Sequence, residues 1–147
     1  MIYLDAAFIA KCYLHEPGAD KVRRRARQSS GLASCALGRL EFSNVLRRHR
    51  QEGRLSRAAT DAVWREFLSD ESSRIWTWYP VSAVLLEQAR DSLDSLADEI
   101  YLRSSDALHL TCARLHGHRE IFTNDRHMLA VAPHFALRGV NLLIADC

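Results

Sequence analysis

Apolar and polar positions along the chain switch repeatedly between the two-residue period of strands and the longer period of helices. Residues 1–5 (MIYLD) are a short apolar run closed by an acid, the pattern of a buried strand whose last residue emerges at a sheet edge. Residues 6–14 have helical composition and stop before Pro17-Gly18, and residues 19–28 (ADKVRRRARQ) predict a second, very basic helix before Gly31. LASCA (32–36) has strand length. Residues 37–52 predict an amphipathic helix with Leu40, Phe42 and Leu46 as its apolar stripe and Gly53 at its C-cap, and Ser56 caps the next helix, running to Leu68 or Ser69. IWTWYPV (75–81) reads as a strand with Trp76 and Trp78 on one side, where core or edge packing accounts for them better than base stacking. Residues 82–97 are helical, Ser104 or Ser105 caps a helix through His116, EIFT (120–123) is a strand, 126–132 a short helix, and VNLLIA (140–145) the last strand. Strands alternating with helices predict a three-layer α/β fold with a mainly parallel central sheet, and no repeat or linker divides residues 1–147 into more than one domain.

Composition narrows the class. With 147 residues, 48% hydrophobic and 26% charged, the chain can bury a core, which excludes disordered and collagen-like classes. No apolar run approaches the roughly 18 residues of a membrane span, so no membrane role and a cytoplasmic location are expected. Cys12, Cys35, Cys112 and Cys147 form no C-x-x-C pair and read as reduced thiols. The formal charge of +2 conceals an asymmetry: residues 1–60 carry 12 Lys and Arg against 5 Asp and Glu, and the rest carries 8 against 13. Eighteen of the 20 cations are arginines, which suit bidentate contact with phosphate, although an arginine-favouring composition accounts for them equally well.

Functional groups of an open parallel sheet gather beyond the carboxyl ends of its strands. Asp5 closes the first predicted strand and Asp125 follows the strand 120–123; as a turn residue or helix cap, either alone is ordinary. Glu41 has Leu37, Gly38, Asn44 and Val45 three and four positions away, so no cation on its own helix is placed to pair with it. It sits on the margin of an apolar face, where it either reaches water or coordinates a metal with Asn44 beside it. Asp106 occupies a helix first turn, where the dipole alone accounts for it. Taken together, four carboxylates at one sheet edge would repel unless cations sat among them, and oxygen-rich sites select Mg²⁺ or Mn²⁺.

The segments YLDAAFIAKCYLHE, LGRLEFSNVLRR, LRSSDALHLTCA and FTNDRHML resemble, in order, the four motif regions of the PIN-domain nucleases, and the helix pattern between them is most similar to VapC-type toxins of toxin–antitoxin pairs. The resemblance spans essentially the whole chain. It implies a PIN-like fold and an endoribonuclease in which Asp5, Glu41, Asp106 and Asp125 are the catalytic, metal-binding quartet for Mg²⁺ or Mn²⁺. Thr123 matches the hydroxyl residue two positions before the last acid. The resemblance also implies an RNA substrate, a cognate antitoxin protein and a homodimer. The hydrolysis expected is attack of a metal-activated water on the phosphodiester, with no need of a 2′-hydroxyl nucleophile.

Arg23, Arg24 and Arg25 on one helix, and Arg47 and Arg48 on another, are candidates for RNA or antitoxin contact, though most helix-borne charges are simply solvated. His109, one turn beyond Asp106, either orients that acid or is a satisfied buried histidine. Competing functions are a general PIN nuclease without an antitoxin and a catalytically silent binding module for RNA or protein. A phospho-acceptor domain is disfavoured because Ala6-Ala7 follow Asp5 and the only lysines are Lys11 and Lys21, and a P-loop enzyme is excluded by its missing glycine motif.

Overall fold

In a computed structural model that describes residues 1–144, five short strands use alternate side chains to build two separate cores. β1 (Ile2–Tyr3), β2 (Leu32–Cys35) and β3 (Trp76–Tyr79) pair in parallel, as do β4 (Glu120–Phe122) and β5 (Arg138–Val140). A parallel bridge between Leu4 and Phe122, with the Asp5 N–H donating to the Phe122 carbonyl at 3.1 Å, joins the two sets in the order β3-β2-β1-β4-β5. Tyr3, Ala33, Cys35 and Ile121 face one core; Ile2, Leu4, Leu32, Trp76 and Phe122 face the other. Both faces of a parallel sheet need a helical cover, which makes the fold the three-layer α/β arrangement expected.

α5 (Ala83–Asp94) and α6 (Ser104–Leu115) cover the first face through Leu85, Ala89, Leu108 and Leu110. α1 (Ala6–Tyr13), α2 (Ala19–Arg27), α3 (Leu37–Gln51) and α4 (Arg57–Ser72) supply the second core with Phe8, Ile9, Val22, Phe42 and Phe67. Caps set the helix starts. Ser56 accepts from the Ala59 N–H at 3.0 Å and Ser82 from the Leu85 N–H at 3.1 Å. α7 (Arg126–Val131) and a 3₁₀ turn over Ala132–Phe135 lead into β5. Trp76 and Trp78 share one side of β3 and stack with ring centroids 4.8 Å apart, within the aromatic core rather than on a free surface. Cys12, Cys35 and Cys112 are free thiols, and Cys147 lies outside the described residues.

Three expectations change. The last strand lies at Arg138–Val140 instead of 140–145: the Asn141 side chain accepts from the Leu143 N–H at 2.9 Å, and this turn ends the strand. Ala145, the end of the expected strand, is outside the described residues. Leu40 is 68% exposed and leaves the stripe, which runs instead through Gly38, Phe42 and Leu46; two positions before Phe42 is more than half a turn around the helix. Gly38 belongs there because a Cβ would come within 2.8 Å of Ile9 Cδ1 and 3.0 Å of Ser34 Oγ, so its absence lets α3 approach α1 and β2. Finally, α6 is capped by neither Ser104 nor Ser105. Its N-cap is Arg103, whose side chain makes no cap hydrogen bond.

Candidate active site

Asp5, Glu41, Asp106 and Asp125 reach one cleft of about 560 Å³ at the carboxyl edge of the sheet. Each comes from a different element, and helix caps orient two of them. Asp5 is the N-cap of α1: its Oδ1 accepts from the Phe8 N–H at 2.8 Å, which leaves Oδ2 to accept from the Thr123 hydroxyl. Asp125 is the N-cap of α7, where Oδ1 accepts from the N–H groups of His127 (2.8 Å) and Met128 (3.1 Å). Thr123 ties the two acids together, since its Oγ1 also accepts from the Asp125 N–H at 3.0 Å. Capping and cleft-lining therefore coexist here, because a carboxylate has two oxygens to divide between them.

Glu41 lacks a cation on its own helix, as its spacing predicts, but α6 supplies a partner. His109 Nε2 lies 2.7 Å from Glu41 Oε2, so the histidine serves Glu41 and not Asp106. Behind it, Tyr3 Oη is 3.0 Å from His109 Nδ1 and accepts from the Cys35 N–H at 3.0 Å. In the neutral ring, Tyr3 donates to Nδ1 and Nε2–H donates to Glu41. Asn44 lines the cleft but is exposed, and no hydrogen bond joins it to Glu41 among the described residues.

Arg103 was not among the residues singled out from the sequence. Its Nε donates to Asp106 Oδ2 at 2.7 Å and its Nη2 to Asp125 Oδ2 at 2.9 Å, with Asp106 Oδ1 3.3 Å from Nη2. The cations demanded by converging acids thus include one from the chain itself. An arginine three positions before an acid at a helix start was the available signal.

Burial pushes the Asp5 carboxyl up to about 6; the Thr123 hydroxyl, the Phe8 N–H and His109 hold it down, and the Glu41 charge adds to the rise. Burial by itself would lower His109, but the hydrogen bond and charge of Glu41 outweigh it and leave the imidazole above its ordinary value. The hydrogen bond that Arg103 donates to Asp106, followed by the charges of Asp106 and Asp125, raises the guanidinium above its ordinary value. Oxygen donors of this kind fit a hard divalent ion such as Mg²⁺ or Mn²⁺, while His109, engaged at both nitrogens, does not add the soft donors zinc prefers. Among the described residues no three His, Cys, Asp or Glu side chains stand close enough to hold an ion as they are. The donor set fits; its present arrangement is closed by Arg103 and His109.

The arginine groups separate. Arg48 lines the acid cleft and also a neighbouring groove with Lys11, His49 and Arg54, whereas Arg47 lies in a different hollow beside Asp61 and Trp64. Arg25 sits over the Phe122 ring at 5.2 Å and lines a hollow with Met1, Ile2 and Glu120, where strands begin, at the edge opposite the acids. Arg23 contacts the Leu14 carbonyl and Arg24 faces Asp20; neither lines the cleft. Among the described residues, no helix is long and apolar enough to cross a membrane.

The fold is similar to that of VapC20 from Mycobacterium tuberculosis, described as a Sarcin-Ricin loop cleaving toxin, with a TM-score of 0.70 and 22% identity over 89% of this chain and 95% of that one. It is also similar to a FitAB structure bound to an IR36 DNA fragment, with a TM-score of 0.63 and 14% identity over 100% and 99% of the two chains. No curated protein sequence matches the chain significantly. The PIN domain family matches residues 2–133, a span that includes all four acids and every strand that carries one to the cleft; this protein belongs to the PIN domain family.

Proposed function

We propose that this protein is a Mg²⁺- or Mn²⁺-dependent endoribonuclease that acts as the toxin of a toxin–antitoxin pair. The observation that carries the reading is the meeting of Asp5, Glu41, Asp106 and Asp125 in one cleft of a PIN-family chain. The similarity to VapC20, described as a Sarcin-Ricin loop cleaving toxin, supports a nucleic-acid-cleaving toxin, and the resemblance of the four motif regions to VapC-type toxins implies RNA as substrate and a protein partner that silences the enzyme. A homodimer in the cytoplasm completes the reading.

The four acids would hold the divalent ion, which supplies an activated water and charge stabilisation on the phosphorane and leaving oxygen. The chain's own groups make that site specific. Thr123 and the α1 N-terminus fix both oxygens of Asp5, so this carboxylate presents a single orientation. Tyr3 and His109 hold Glu41 against the low-dielectric interior and keep its charge from standing alone. Arg48 borders both the cleft and the groove that continues from it, and there it binds a phosphate of a single strand, whereas Lys11 and Arg54 in the same groove are already paired with Glu16 and Glu52.

Purified protein incubated with RNA should cleave it in Mg²⁺ or Mn²⁺, lose activity in EDTA, and lose it in Asp106→Asn. Cleavage in EDTA, or full activity of that variant, rejects the mechanism. Growth arrest on expression, relieved by a small protein encoded beside the gene, separates a toxin from a general PIN nuclease.

RNA affinity should fall steeply with salt, and Arg48→Ala should reduce the slope of log K against log salt by about 0.7, the release expected for one phosphate contact on a single strand. Filter binding of an inactive variant at several salt concentrations measures it. An unchanged slope removes Arg48 from the RNA path.

A further inference from the structure

Every carboxylate of the cleft is answered from within the chain. Asp5 has the α1 N-terminus and Thr123, and Glu41 has His109. Asp106 and Asp125 share one guanidinium: both oxygens of Asp106 and Oδ2 of Asp125 are engaged by Arg103, while Oδ1 of Asp125 is taken by α7. The Asp106 side chain is 8% exposed and that of Arg103 is 55% exposed, so the arginine approaches the pair from the solvent side and covers it. Nothing in the backbone requires this position. Arg103 precedes α6 in extended conformation and its side chain does not cap the helix.

We propose that Arg103 is the counter-ion a divalent metal displaces from Asp106 and Asp125, and that the freed guanidinium then holds a phosphate of the RNA strand at the mouth of the cleft. The inference rests on the metal-dependent reading above. Two cations cannot use the same inward-facing oxygens without strong repulsion at such distances, so metal and guanidinium compete for them. An arginine fork that spans two carboxylates also fits the oxygens of a phosphate, and it begins at the entrance a strand must pass. The exchange offsets part of the charge of the two acids before metal arrives and supplies a phosphate anchor only after it has bound.

Calorimetric titration of metal-free protein with Mn²⁺, at fixed ionic strength and pH 8, tests the exchange in wild type, Arg103→Gln and Arg103→Lys. Removing the competing charge should tighten Mn²⁺ binding about tenfold in Arg103→Gln, within the usual range of site coupling, and less in Arg103→Lys. Metal-free Arg103→Gln should also melt below wild type and gain more from added Mn²⁺. Equal or weaker Mn²⁺ binding by Arg103→Gln overturns the exchange. Absence of Mn²⁺ binding in both proteins instead overturns the metal reading beneath it. At saturating Mn²⁺, Arg103→Gln should raise KM for RNA about tenfold, more than it lowers kcat, and Arg103→Lys should restore part of the loss. An unchanged KM overturns the phosphate role.

Discussion

Asp5→Asn should abolish cleavage yet melt at a higher temperature than wild type in EDTA. Its activity should fall by about a hundredfold or more, because a charged oxygen ligand and its share of charge stabilisation are lost. Stability moves the other way. Burial raises the Asp5 carboxyl from 3.8 to about 6, so the folded protein holds this proton more tightly than the unfolded chain. The corresponding contribution is present below pH 3.8 and is lost as pH rises through about 6, which leaves the metal-free fold about 3 kcal/mol less stable at pH 8 at 1.36 kcal/mol per unit. Asparagine removes that charge while its oxygen still accepts from the Phe8 N–H and its amide donates to Thr123. The expected gain in Tm is roughly 5–10 °C at pH 8, vanishing near pH 4. Added Mn²⁺ should raise the Tm of wild type and leave that of Asp5→Asn nearly unmoved. A variant that melts lower than wild type in EDTA at pH 8 would contradict the buried, strained carboxylate.

Phe67→Ala should be the most destabilising single truncation of the second core, at about 3–5 kcal/mol and roughly 10 °C or more in Tm. Phe67 is fully buried on α4, and the rings of Tyr13, Phe42, Trp64, Trp76 and Trp78 lie 4.9 to 6.3 Å from it. Five aromatic neighbours on four other turns of chain cannot all close on the space one ring leaves. The effect reaches the cleft, because Phe42 packs on Phe67 at 5.1 Å and the preceding residue on α3 is Glu41. Thermal melts followed by near-ultraviolet circular dichroism check both loss of stability and loss of fixed aromatic packing. A cost below about 1 kcal/mol would show that this cluster is not what seats α3 and α4.

The element order was legible because its signals are short-range. Strand-length apolar runs, the serines before α4 and α5, and the breaks at Pro17-Gly18 and Gly53 each act within a few residues. The boundaries that moved did so for reasons just as local but finer: a single Asn141 side chain ends β5, and the twist of α3 turns Leu40 outward. The order of the strands follows less directly, since β1 lies between β2 and β4 only because the chain crosses from one side of the sheet to the other.

The sequence by itself determined an alternating α/β chain with acids where strands end, because helix and strand periods and capping are properties of neighbouring residues. Only the tertiary structure decided how those acids are neutralised and which arginines face them. His109 meets Glu41 across 68 positions of sequence and Arg103 meets Asp125 across 22. Arg48 borders the acids while Arg25 stands at the opposite edge. Charge pairing at such separations depends on how helices seat against the sheet, and that is set by the packing of buried rings and apolar side chains rather than by any pattern along the chain.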